Sequence, residues 1–195
     1  MTSFSLRERD ALCDLALDLG PEAPTLCEGW RVRDLLEHLV TREQPWRLVP
    51  RLSTPAAELA YDDLVARVRR PAGYLRTLPA LDAAANTVEL FVHHEDVRRA
   101  QPGWTERVLP AADQDALWKG LGVVGRVLAM RAGVPLVVTD GARTRALRRG
   151  DDPVTVRGHV SELVLFLFGR GELGELVFEG ADDRVAELKT ARRGF

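Results

Sequence analysis

The chain has four histidines, His38, His93, His94 and His159, and one of them follows a carboxylate at helical spacing in Glu89-Leu90-Phe91-Val92-His93. On a helix, residues i and i+4 lie one above the other. Two imidazole nitrogens and one carboxylate are the ligand set of many catalytic zinc sites, which keep a fourth position open. Read together with His38, the Glu89/His93 pair gives the chain a metal-binding reading.

The helix that carries this pair has a polar stripe. Asn86, Glu89, His93 and Asp96 fall within roughly an 80° sector, while Val88, Leu90 and Phe91 lie outside it. Such a stripe has two readings. It is the solvated face of a surface helix, the default for charged residues, or it points inward around an ion, as ligands do in metal-binding bundles. His38 lies at the edge of an apolar stripe, where a lone histidine is more often a surface or half-buried residue than a ligand. His94 points about 100° away from His93, so both cannot easily bind one ion; it reads as a residue at the edge of the core or one that supports a ligand from behind. Asp96 either fixes a ligand imidazole by accepting its other N–H or is solvated.

Several elements must position these residues. Ser5 to Leu19 reads as a helix with Leu12, Leu15, Ala16 and Leu19 on one face, ended by Gly20-Pro21. A loop over Thr25–Trp30 leads into a second helix with Val32, Leu35, Leu36, Leu39 and Val40 as its stripe, stopped by Pro45. Leu59 to Leu78 reads as helical with a disturbance at Pro71, followed by helices over Ala83–Ala100 and Ala111–Ala132. Long helices with polar connections suggest an up-and-down bundle. After Gly133 the pattern changes. Leu136–Thr139, Thr144–Leu147, Val154–Val156 and Leu176–Phe178 read as short strands, with helices over His159–Phe168 and Asp182–Ala191. The expected architecture is α+β: a helical bundle over residues 1–133 and a small α+β domain over 134–195.

Composition bounds the function. The 195 residues are 46% hydrophobic and 29% charged, with a net charge of -2, an ordinary globular balance that gives no case for a nucleic-acid partner. The basic clusters Arg67/Arg69/Arg70 and Arg143/Arg145/Arg148/Arg149 lack interleaved aromatics and read as solvated faces. The apolar run Leu163–Phe168 is too short to span a membrane, and the start of the sequence, with no apolar run behind a basic stretch, leads us to expect no export signal. Cys13 and Cys27 are expected to be reduced thiols of a cytoplasmic protein. Cys27 precedes the second helix, whose dipole could lower its pKa, but a buried structural thiol is the simpler reading.

Three segments also resemble a known family. Leu26-Cys27-Glu28-Gly29-Trp30-Arg31-Val32-Arg33-Asp34 leading to His38-Leu39 resembles the Cys-x-Gly-Trp-Thr-Val-Arg-Asp motif, with its following His-Leu pair, of the mycothiol-dependent maleylpyruvate isomerase family. Glu89 to His93 followed by Asp96 is similar to that family's Glu-x-x-x-His signature. Ser161 to Arg170 is similar to a Glu-Leu-Leu-Leu-(Phe/Trp)-Leu-(Phe/Trp)-Gly-Arg run in its second domain. The three occur in the family's order along nearly the whole chain.

The resemblance implies a DinB-like metal-binding four-helix bundle with a small C-terminal α+β domain. It makes His38, Glu89 and His93 the metal ligands, with Asp96 behind them. It implies a divalent ion, zinc by default and nickel or iron as fits, and mycothiol as co-substrate. The implied activity is S-transfer or isomerisation, in which a metal-bound thiolate attacks an electrophilic small molecule. A metal-dependent hydrolase on the same scaffold and a non-catalytic metal- or ligand-binding protein are the alternatives. In the family an arginine of the second domain contacts substrate; Arg157 and Arg170 are the candidates, each with the plainer role of surface charge or helix C-terminal cap. Two departures stand out. Arg31 replaces a Thr or Ser that would cap the second helix, and the second domain looks short beside the isomerase.

Overall fold

In the computed structural model the chain is described over residues 3–43, 55–70, 79–171 and 173–191. The stop at Pro45, the start of the loop between Pro50 and Pro55, and the disturbance at Pro71 fall outside these residues. Contacts divide the chain into two compact units, Met1–Asp82 with Glu89–Thr105, and Ala83–Val88 with Glu106–Phe195.

The first unit is built from helices whose ends are set by local chemistry. Ser3 caps α1 (Phe4–Leu19) by accepting from the Leu6 N–H at 3.4 Å, and Gly20 closes it in the left-handed region at φ 83°. The missing Thr or Ser at position 31 is compensated from the other side. Three residues on, Asp34 Oδ2 accepts the Arg31 N–H at 2.8 Å, half of a capping box, and starts α2 (Val32–Glu43). In α3 (Tyr61–Arg69), Asp62 and Asp63 open the helix and Arg67 and Arg69 close it, each sign matching the dipole end it faces. Leu12, Cys13 and Ala16 of α1, the five apolar residues of α2, and Leu64, Val65 and Val68 of α3 share one core with Val97. Tyr61 ties α3 to α1 by donating to the Ala16 carbonyl at 2.6 Å.

The helix α4 (Pro79–Arg99) is of another kind. Every residue from Leu90 to Val97 is buried, so this stretch has no solvent face. Its apolar residues and its run His93-His94-Glu95-Asp96 both point into protein. Buried ionisable groups need partners, and each has one: Glu8 for His94 at 2.8 Å, Arg98 and Arg99 for Glu95, and His93 and Asp96 for each other.

The second unit holds α5 (Ala111–Ala129), α6 (Val160–Leu167), α7 (Asp182–Thr190) and one sheet. The strands β1 (Leu136–Thr139), β2 (Thr144–Arg148), β3 (Val154–Gly158) and β4 (Leu176–Glu179) lie in the order β2-β1-β3-β4. The outer pairs are antiparallel and the central β1–β3 pair is parallel. A turn at Asp140-Gly141 joins β1 to β2, with Asp140 Oδ1 accepting the Ala142 and Arg143 N–H groups and Gly141 at φ 90°. Every residue of α6 is buried, which explains its unbroken apolar run.

The contact division falls elsewhere than at residue 133, because α5 packs within the second unit against α6 and β2. Gly125 lets β2 approach closely, since a Cβ there would stand 3.0 Å from Leu147 Cδ2. The protein is therefore α+β: among the described residues, α1, α2, α3 and the Glu89–Arg99 part of α4 lie in the first unit, and the sheet lies in the C-terminal part. Among the described residues no helix is long and apolar enough to cross a membrane.

Candidate metal centre

Two helices of the first unit bring three donors together. α2 carries His38 and α4 carries Glu89 and His93 one turn apart; one donor atom from each lies within 4.8 Å of the other two. His38 Nε2 stands 3.4 Å and His93 Nε2 3.8 Å from the same oxygen, Glu89 Oε1. With metal–ligand bonds of roughly 2.0–2.1 Å, the edges of a tetrahedral site are about 3.3–3.4 Å. The two edges to Glu89 Oε1 are thus within about half an ångström of those of such a site. The set is two neutral nitrogens and one carboxylate, chemistry that suits zinc, nickel or iron.

The two nitrogens of His93 face different surroundings. Nδ1 lies 3.0 Å from Asp96 Oδ2, a hydrogen-bond distance, and Asp96 is fully buried. A carboxylate accepts, so the contact calls for a proton on Nδ1, and in the neutral ring the lone pair then lies on Nε2, on the Glu89 side. The polar stripe therefore resolves inward for His93 and Asp96, whereas Asn86 belongs to the second unit.

His38 sets the open side of the cluster. Its side chain is 37% exposed, against 14% for Glu89 and 10% for His93, so solvent reaches the donors from His38's side. The Trp30 ring packs on one flank of the His38 imidazole at 5.1 Å between centroids, and His93 packs edge-on at 5.4 Å. His94 belongs to a different contact altogether, buried against Glu8 of α1.

Two participants escaped the sequence reading. Arg42 binds Glu89 Oε2 through Nη2, which leaves Oε1 facing the histidines. Its signal was present, because Arg42 stands four residues after His38 on the same face of α2. Cys27 Sγ lies 3.1 Å from the Asp96 oxygen that His93 also uses. Cys27 is half-buried and not in a disulfide, and it sits in a loop fixed to α4 by the Leu26 N–H donating to the Asp96 carbonyl at 2.9 Å. By contrast Cys13 is fully buried in the helical core, where burial pushes its thiol up to about 11.

The two arginine candidates have local partners in the second unit. Arg157 on β3 pairs with Glu179 on β4 at 3.3 Å with both side chains about half exposed. Arg170 donates to the Phe168 carbonyl at 2.8 Å just past the end of α6, as a C-terminal cap does.

No protein-family model matches the chain, and no curated protein matches it significantly. Solved structures do. The crystal structure of the mycothiol-dependent maleylpyruvate isomerase aligns over 92% of this chain and 96% of that one, at 19% identity and a TM-score of 0.53. A histidine-to-alanine variant of that enzyme gives the same coverage and identity with a TM-score of 0.54. At this identity the likeness is one of architecture, and it agrees with the resemblance carried by the three sequence motifs: the chain has the fold of the mycothiol-dependent maleylpyruvate isomerase.

Proposed function

We propose that this protein is a metal-dependent enzyme of the thiol transferase or isomerase kind, with His38, Glu89 and His93 as ligands of a divalent ion, zinc by default, and mycothiol as co-substrate. The convergence of His38 Nε2 and His93 Nε2 on Glu89 Oε1 carries the reading. The fold shared with an isomerase that depends on mycothiol supports the choice of thiol.

A bound divalent ion would supply the positive charge that holds a thiol as thiolate at neutral pH. The residues of the chain prepare the place. Asp96 keeps the His93 proton on Nδ1, so that Nε2 is a donor of electrons and not of a hydrogen. Arg42 holds the second oxygen of Glu89 and turns the first toward the imidazoles. Trp30 restricts the swing of His38. The exposed flank of His38 gives a small thiol and an electrophile access to the donors. Arg157 and Arg170 are left out of this proposal, because each is occupied with a local role.

The test is turnover of small electrophiles by zinc-loaded protein with and without mycothiol, in the parent and in His38→Ala. Turnover that requires both the thiol and His38 is the expected result. Turnover that proceeds equally without any thiol would replace this reading with the hydrolase.

A further inference from the structure

We infer that Cys27, Asp96 and His93 Nδ1 form a second cation site, suited to a thiophilic ion, that shares His93 with the first and is its alternative. The site's three donors, one thiol sulfur, one carboxylate oxygen and one imidazole nitrogen, lie within 4.8 Å of one another. Sulfur and nitrogen both approach the same oxygen, Asp96 Oδ2, at 3.1 and 3.0 Å. In a tetrahedral site with bonds of roughly 2.0–2.3 Å the corresponding edges are about 3.3–3.5 Å. An ion with bonds of this length that replaces the two bridging protons widens these two edges by a few tenths of an ångström, and the longer bonds of cadmium widen them further.

Donor chemistry separates the two sites. The His38 set offers nitrogen and oxygen alone. The Cys27 set adds a thiolate, the ligand that soft ions such as cadmium or cuprous copper select. The same imidazole serves both through opposite nitrogens. A neutral imidazole has one lone pair available, on Nε2 or on Nδ1 but not on both. An ion held at Nδ1 takes His93 from the first site, and an ion held at Nε2 leaves the Nδ1 proton on His93, donated to Asp96. The two sites therefore compete for a neutral His93, and a thiophilic ion entering at the half-buried Cys27 would disarm the His38 site without touching His38 or Glu89.

Cadmium titration of the metal-free protein tests this by its ultraviolet thiolate-to-metal absorption, which only a cysteine ligand produces. The band is expected in the parent, in Cys13→Ala and in His38→Ala. It is expected to vanish in Cys27→Ser and Cys27→Ala, and to need at least tenfold more cadmium in His93→Ala. A parent without the band, a band that survives in both Cys27 variants, or one that His93→Ala leaves at parental cadmium demand overturns the proposal. In zinc-loaded parent, cadmium should release the zinc, and in Cys27→Ser the release should need at least tenfold more cadmium. A band in a parent that binds no zinc would leave this second site standing while removing the first, so the two readings fail separately.

Discussion

Asp96→Asn isolates the step by which a buried carboxylate prepares a ligand histidine. The substitution keeps the shape of the side chain and removes its charge. In the parent, Asp96 Oδ2 accepts from His93 Nδ1 at 3.0 Å with the carboxylate fully buried. Hydrogen bonds to a charged group contribute about 1.5–3 kcal/mol and neutral ones about 0.5–1.5, so the bond loses roughly 1–1.5 kcal/mol. The amide brings a second effect. It can offer an N–H to Nδ1, which moves the imidazole proton to Nε2 and blocks the lone pair that faces Glu89. Loss of such supporting partners weakens metal binding by about 10–100-fold, equivalent to about 1.4–2.7 kcal/mol. We expect Asp96→Asn to fall in the upper half of that range, because the charge and the tautomer are lost together. Zinc affinity measured against a competing chromophoric chelator, on parent and variant shown by circular dichroism to be equally folded, reads the effect directly. An affinity within twofold of the parent would refute the role assigned to Asp96 and the tautomer assigned to His93.

Further outcomes follow from the buried polar contacts and the tight packing. Arg9 and Glu43 form a bidentate pair with both side chains 6% exposed, and Arg9 also donates to the Val68 carbonyl; Glu43→Gln should cost about 3–5 kcal/mol in urea unfolding, while Arg9→Met with Glu43→Leu should cost far less. A Cβ at Gly120 would stand 2.3 Å from Val88 Cγ2 and 2.9 Å from the Ala84 carbonyl oxygen, so Gly120→Ala should destabilise by about 1–3 kcal/mol, and an unchanged melting temperature would contradict that packing. In the folded protein near pH 8, a thiol-reactive reagent should modify Cys27 and spare Cys13, whose thiol burial pushes up to about 11; two modified thiols before unfolding would be the contrary result. Burial raises the Asp140 carboxyl, but the N–H and guanidinium of Arg143 and the N–H of Ala142 outweigh it and hold the pKa below the ordinary value. That contribution is present above the unfolded-state carboxyl pKa and is lost as pH falls through the folded one. Asp140→Asn should therefore cost roughly 1–3 kcal/mol at neutral pH, and the deficit should shrink in acid.

The elements were legible where the chain punctuates itself. Gly20-Pro21, Gly133 and Asp140-Gly141 bound segments whose pattern is plain, and the strands at Leu136, Thr144, Val154 and Leu176 begin where the sequence puts them. α4 shows why burial was harder to read. A helix enclosed on every side has no amphipathic contrast, so Glu89, His93 and Asp96 fit a solvated stripe as well as an internal one until their neighbours are known. The place of α5 depended on small residues meeting a distant strand, which periodicity does not encode. The site divides in the same way. Glu89/His93 and His38/Arg42 are spacings within one helix and can be read locally. The Cys27–Asp96 contact joins residues 69 apart, and the plain reading of Cys27 as a structural thiol had no local signal to correct it.

The central claim is that His38, Glu89 and His93 hold one divalent ion, and elemental mass spectrometry of the purified parent beside His93→Ala tests it most directly. About one equivalent of zinc, nickel or iron in the parent, lost in the variant while the fold is kept, is the predicted result. A folded parent that carries none of these metals, and takes up none when each is supplied, would contradict the account.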